Sequence, residues 1–432
     1  MTKILSSYLN ETKLIFDLFE KHNIKTVISR NYEFLLENKT YSGKDIDLCV
    51  KKKDLKKIKK IFEENNFIKY PINPFSKHEA YIKFIIKEEK LLFFHLHIDG
   101  VTGVNLEYMD GQSIFKNSIK EKYFYKPSIN DEFLIIVQHA IIDKKKFRDD
   151  YRKKILKLFP KIDHEYITKK LENNFGKKNC EFILKNIKEN NFNKIENKSL
   201  EMYKYFIKNY KNKYYELFKV YILGGFWKLN WFLTRKPVIT FIGLDGTGKT
   251  TSSLKLFNIL KVNKLRTNYI YFGRGRNNIL PIQFLGKIYK KTGGKSSIQT
   301  EKKKKTEKYS ILLSFAIFIF ALDMILRYLI VILPSRMKYD FTISDRSTTD
   351  ILLFNKVPMS LKKFIYFFMP KPNLIFYLYN DIEVLYKRKK HPIEDLKRQE
   401  IVFKNINKTL KPIKIKTIGI KPTIKKILEK II

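Results

Sequence analysis

The sequence predicts a multidomain α/β protein: an α+β amino-terminal domain (1–128), a helical connector (129–235) and a carboxyl-terminal domain (236–432) built on a parallel sheet. Three observations predict it. Apolar runs at 238–242, 269–272, 340–344, 374–379 and 413–417 alternate with helix-patterned stretches, as strands joined by helical crossovers do. The span 129–235 is rich in Lys and Asn and carries helical periodicity with almost no strand signal. Residues 1–128 mix helical periodicity at 8–21 and 52–65 with strand-like runs at 25–29, 45–50 and 91–98.

In the first domain the run at 45–50 begins Asp45-Ile46-Asp47, which places two carboxylates on one face of a strand. A third acid, Asp99, ends the run 94–99. Three acids on one sheet face can hold two Mg²⁺ ions that align a triphosphate and activate an attacking hydroxyl. His95, His97 and Asp99 also share a face, a pattern open to zinc or to structural histidines.

The carboxyl-terminal domain opens on Gly243-Leu244-Asp245-Gly246-Thr247-Gly248-Lys249-Thr250, between the apolar run 238–242 and a helix-like stretch at 251–260. Strand, glycine loop and helix in that order form a P-loop. Gly246 and Gly248 let the backbone take positive φ and turn its N–H groups toward phosphate oxygens at the positive end of the helix. Lys249, expected as an exposed loop cation, reaches the β- and γ-phosphates, and the Thr250 hydroxyl ligates Mg²⁺. Gly243, Asp245, Thr247 and Thr251 complete the expected nucleotide-binding segment, so ATP and Mg²⁺ are the expected cofactors.

At the end of the third apolar run stands Ile343-Ser344-Asp345-Arg346-Ser347. The carboxyl ends of strands are where open α/β sheets bind ligands. Asp345 is placed to orient Mg²⁺ or its waters, and Arg346 to hold an acceptor phosphate. The stretch 382–400 carries Arg388, Lys389, Lys390, Glu394, Lys397 and Arg398. A mobile cationic helix that closes on the nucleotide suits phosphoryl transfer, with Arg388 as a catalytic and Arg398 as a nucleotide-binding candidate.

The run 311–333 is long enough to span a bilayer, but Asp323 and Arg327 fall four apart on one helical face. Each costs about 2.5 to 3.5 kcal/mol at mid-membrane on insertion scales. A span there would also part strands of one sheet, so a buried helix with an internal ion pair is expected. The aromatics Phe226, Trp227, Trp231 and Phe232 are expected in the core. They and nearby basic residues leave peripheral membrane contact open.

A net charge of +44 invites a nucleic-acid partner, but lysine is spread through every segment, and a binding stripe would concentrate it. A small-molecule phosphate acceptor is the expected partner instead, and homodimerisation stays open. Two cysteines, Cys49 and Cys180, and the lack of an apolar run near Met1 point to the cytoplasm.

The carboxyl-terminal half, through residues 243–251, the Asp345-Arg346 pair, the basic stretch 382–400 and the closing strand and helix at 413–432, resembles the thymidylate kinase family of P-loop kinases. The resemblance implies a five-stranded parallel sheet with the P-loop strand beside the Asp345 strand, and ATP-dependent phosphorylation of a phosphate or hydroxyl. Where thymidylate kinases carry Arg-Glu-Pro after the second strand, this chain reads Phe272-Gly273-Arg274-Gly275-Arg276-Asn277. Where they place an aromatic after Asp-Arg, this chain has Ser347, and an insertion at 281–333 separates the second and third strands. Arg274 or Arg276 is then expected to grip an anionic acceptor other than thymidylate.

The amino-terminal half is similar to the nucleotidyltransferase superfamily through Arg30-Asn31-Tyr32-Glu33, Asp45-Ile46-Asp47, Asp99 and a basic helix at 144–154 with Arg148, Tyr151 and Arg152. Lys44 beside Gly43 departs from that family's second glycine or serine. The likeness implies a sugar or glycan precursor as acceptor. The expected whole is a kinase of a small anionic metabolite, nucleotide or sugar derivative fused to a nucleotidyltransferase-like module. The competing expectation is a nucleotide-dependent regulator with membrane or nucleic-acid contacts.

Overall fold

The computed structural model describes residues 7–37, 45–103, 106–210, 213–234, 238–273, 277–281, 311–354, 356–389 and 392–431. Gly43, Lys44, Arg274, Arg276, the charged patch 301–308 and Lys390 lie outside the described residues. The chain divides into two compact units, 1–229 and 230–431.

The first unit holds nine strands: β1 (Val27–Ile28), β2 (Ile46–Val50), β3 (Ile68–Tyr70), β4 (His78–Ile85), β5 (Lys90–Ile98), β6 (Gly100–Gly103), β7 (Leu106–Asp110), β8 (Ile119–Lys120) and β9 (Tyr125–Lys126). Seven form a mixed sheet in the order β3-β4-β5-β2-β1-β9-β8, and β6 pairs with β7. Alternation sorts the side chains. Ile46, Leu48 and Val50 join Leu92, Phe94 and Leu96 on one face, packed against α1 (Ser7–Lys21) and α2 (Leu55–Glu64) through Phe16, Phe19 and Phe62. Phe62 stacks on Tyr81 with ring centres 4.5 Å apart. Val27 and Cys49, on the other face, share a core with the helices between 129 and 209, including α3 (Ile129–Gln138), α4 (Asp149–Leu158) and α5 (His164–Phe175). The basic stretch 144–154 is not one helix. A wide helical turn, His139–Lys144, ends at Lys145 with φ of 54°, and α4 starts afresh at Asp149.

The second unit is a five-stranded, wholly parallel sheet: β10 (Val238–Gly243), β11 (Thr267–Tyr271), β12 (Phe341–Asp345), β13 (Leu374–Tyr379) and β14 (Ile413–Lys416), in the order β11-β12-β10-β13-β14. All six residues of β10 are buried, as a central strand covered on both faces requires. Its helices include α6 (Lys249–Val262), α7 (Ile311–Arg327), α8 (Met359–Phe367), α9 (Ile382–Lys389) and α10 (Ile393–Leu410).

The apolar run continues helically to Lys338, and among the described residues it is one helix long and apolar enough to cross a bilayer. Asp323 and Arg327 pair at 2.9 Å, with side chains 0% and 2% exposed. Asp323 Oδ1 also accepts the N–H groups of Ile279 and Leu280 at 2.8 and 2.9 Å, and Arg327 Nη1 donates to the Gly273 carbonyl at 3.2 Å. The charges thus pin the loop after β11 to the helix. β11 and β12, on either side of this helix in sequence, are hydrogen-bonded neighbours that a crossing would part. The opposite stripe, with Phe315 and Leu322, is exposed, and so is Phe226, which does not pack in the core as expected. The side chains of Trp231 and Phe232 lie outside the described residues.

Candidate functional site

Gly243 closes β10 with φ of 146°, and a Cβ there would lie 2.1 Å from the Leu378 carbonyl oxygen of the neighbouring strand. No side chain fits so close a backbone approach. Gly246 and Gly248 take φ of 89° and 84°, and Gly248 caps α6. The loop is fastened from within: Thr247 Oγ1 donates to the Leu244 carbonyl at 2.8 Å.

Lys249 is not the exposed cation expected. It is 8% exposed, and its Nζ donates to the carbonyls of Gly243 and Leu244 at 3.0 and 2.8 Å. Burial pushes the ammonium down to about 8, against the pull of Asp245, whose Oδ1 stands 3.7 Å away. The lysine therefore caps its own loop.

The adjacent strand supplies the partner. β10 and β12 run parallel with Phe241 opposite Asp345, which brings the Asp345 carboxylate to the mouth of the loop. Thr250 Oγ1 donates to Asp345 Oδ2 at 2.7 Å, and Tyr269 Oη reaches the same oxygen at 3.2 Å. Asp345 Oδ1 is buried without a hydrogen-bond partner. A hydroxyl and a carboxylate with an open oxygen form a hard donor set, which suits Mg²⁺.

Arg346 turns away from the strand with φ of 75°. Its Nη1 and Nη2 approach Asp350 Oδ2 at 3.3 Å and Asp245 Oδ1 at 3.5 Å. Gly273 lies beneath it, since a Cβ on Gly273 would fall 2.4 Å from Arg346 Cδ. Burial opposes the charge on Arg346, and the carboxylates of Asp350 and Asp245 outweigh it. The arginine stays cationic at the mouth of the loop.

In this structure the contacts of the basic helices with the loop run through the uncharged Gln399 and Leu385. Arg388 on α9 donates to the Thr417 carbonyl at 3.3 Å, and Arg398 on α10 is held by Asp395 at 2.7 Å. Contact with the loop comes from Gln399, whose Oε1 accepts the Asp245 N–H at 3.3 Å, and from the Leu385 backbone, 3.4 Å from where a Cβ on Gly246 would sit. Sequence reasoning weighted charge, and Gln399 carries none. Thr251 is exposed in the first turn of α6.

In the first unit, Asp47 opposes His95 across β2 and β5. Asp47 is buried, with Oδ2 taking Arg30 Nε at 2.9 Å and Oδ1 lying 3.1 Å from His95 Nδ1 and 3.3 Å from His97 Nε2. Burial opposes its ionisation, but Arg30 and the two histidines outweigh it and hold the carboxyl well below its usual range. Asp45 Oδ2 stands 3.9 Å from His95 Nδ1. Asp99 does not join Asp45 and Asp47. At φ of 58° it accepts the Lys52 N–H at 2.8 Å and lines a surface cavity with Lys25, Lys51 and Asp110. Among the described residues, Asp45, Asp47 and His95 bring ligand atoms within 4.8 Å of one another, and so do His78, His95 and His97.

The motif beside it is spent on structure: Tyr32 Oη donates to Glu132 at 2.8 Å, and Glu33 pairs with Lys154. Arg148 lies over the Tyr151 ring, and Arg152 pairs with Glu196 at 2.7 Å.

No protein-family model and no curated protein matches this chain. Among solved structures the chain is similar to the thymidylate kinase of Ehrlichia chaffeensis, at 20% identity over 45% of this chain and 97% of that one, with a TM-score of 0.30.

Proposed function

We propose that the second unit is an ATP-dependent P-loop kinase acting on a small anionic acceptor. The observation that carries this reading is the 2.7 Å hydrogen bond from Thr250 to Asp345, which joins the loop hydroxyl to a carboxylate on the neighbouring strand. Thr250 and Asp345 would hold Mg²⁺, whose role when bound is to neutralise charge on the transferring phosphoryl group.

The protein's own groups do the rest. The glycine loop and the start of α6 cradle phosphates with N–H groups. Lys249 leaves the carbonyls of Gly243 and Leu244 for the stronger acceptors that phosphate oxygens offer. Arg346 is held by two long carboxylate contacts, which a bidentate acceptor phosphate can displace. The helices α9 and α10 lie against the loop, so nucleotide entry requires them to move.

For the first unit we propose a nucleotidyltransferase-like module handling a related substrate, a reading supported by Asp45 and Asp47 at one strand end. Incubation of the full chain with ATP, Mg²⁺ and panels of sugars, sugar phosphates and nucleotides tests the kinase reading. Acceptor-stimulated ADP release that disappears in Asp345→Asn supports it. Nucleotide binding with no stimulation by any acceptor favours the regulator.

A further inference from the structure

The mixed sheet of the first unit gathers three imidazoles that the kinase reading leaves unused. β4 and β5 run antiparallel with His78 opposite His97 and the small Ala80 opposite His95, and β2 places Asp47 opposite His95 on the other side. All four side chains project from one face. The three ring centres are 4.7 to 4.8 Å apart, and one nitrogen of each ring lies within 4.8 Å of the others. His78 Nδ1 is buried and makes no hydrogen bond.

We propose that His78, His95 and His97 form a binding site for a zinc-class divalent ion, with Asp47 at its edge. Three imidazoles with a fourth position left for water or an oxygen ligand is an arrangement zinc takes in catalytic sites. Magnesium, the ion that paired carboxylates would favour, takes oxygen ligands and disfavours such a set. The outer atoms are already positioned. His78 Nε2 lies 2.6 Å from Thr102 Oγ1, and His97 Nδ1 lies 3.4 Å from the same hydroxyl. Such contacts fix ring orientation around a metal.

Asp47 fits the same scheme. Arg30 occupies Oδ2, which leaves Oδ1 facing His95 and His97 as a fourth ligand or as the acceptor for a bound water. Bonds of about 2.0–2.1 Å in tetrahedral geometry bring ligand nitrogens to roughly 3.3 Å from one another, so the side chains close by about 1.5 Å at most. This site is independent of the P-loop, and its failure would leave the kinase reading untouched.

The test uses the full chain without a polyhistidine tag, stripped by chelator and titrated with Co²⁺ in the absence of nucleotide. One equivalent is expected to bind with the visible absorption of a four- or five-coordinate ion, and Zn²⁺ to displace it. His78→Asn is expected to weaken Co²⁺ binding by at least about tenfold while circular dichroism is unchanged. X-ray absorption on the zinc-loaded wild type counts ligands without any substitution, and three imidazoles are expected. Absent stoichiometric binding, an all-oxygen ligand shell, or wild-type affinity in His78→Asn overturns the proposal.

Discussion

Lys249 sets the first prediction, because its ammonium is buried against two carbonyls before any nucleotide arrives. Its value of about 8 in the folded chain lies below the 10.5 of a free lysine. Between those pH values the unfolded chain carries the proton and the folded chain does not, so stability rises with pH across that window. Phosphate favours the charged form, so ATP affinity should fall as pH rises through about 8, and Lys249→Met should bind weakly with no such dependence. A flat wild-type profile would argue against the lysine as phosphate ligand. Gly243 gives a second prediction: Gly243→Ala must push the Leu378 carbonyl from 2.1 Å and hold alanine at φ of 146°. A loss of about 2 kcal/mol or more in denaturant unfolding is expected. Ser347 bears on the acceptor. It is spent on capping the helical turn Thr348–Leu353 and offers no aromatic surface. Thymidylate should therefore be a poor acceptor, with kcat/KM below about 10⁴ M⁻¹s⁻¹, and efficient thymidine diphosphate formation would refute this.

At the scale of elements, α7 depends on its one internal ion pair. Asp323→Ala removes the buried counter-charge of Arg327 and the acceptor of two loop N–H groups, a change expected to cost about 3–5 kcal/mol. A melting temperature equal to wild type would contradict the anchoring role. The helix was legible in the sequence because the two charges fall four apart. The central strands β10, β12 and β13 of the second unit were legible too, since parallel strands buried on both faces read as apolar runs. β4 was not, because its first residues, His78 and Glu79, look like a loop until β5 is set beside them. The short strands β8 and β9, of two residues each, owe their pairing to tertiary context and leave little local pattern, whereas β1 falls inside the strand-like run 25–29. The P-loop was readable from spacing alone. The capping of its carbonyls by Lys249, and Gln399 on its outer side, depended on folding that no local pattern records.

At the scale of the molecule, the two proposed sites are built on separate sheets, one in each unit. Asp47→Asn should disturb the histidine cluster of the first unit and leave acceptor phosphorylation unchanged, because Lys249, Thr250 and Asp345 all belong to the second. Loss of phosphorylation in that variant would mean that the sites are coupled. The third acid of the expected metal set, Asp99, stands apart from Asp45 and Asp47 in the fold. Asp99 has the right parity in sequence, but a left-handed turn at the strand end carries it to Lys52, and the neighbouring strands supply histidines instead. The central claim, that the second unit is a P-loop kinase, is tested most directly by calorimetric titration of the full chain with ATP in Mg²⁺. One site per chain is expected, with binding weakened at least about tenfold in both Lys249→Ala and Asp345→Asn. Wild type that takes up no ATP, or binding that both variants leave intact, would contradict it.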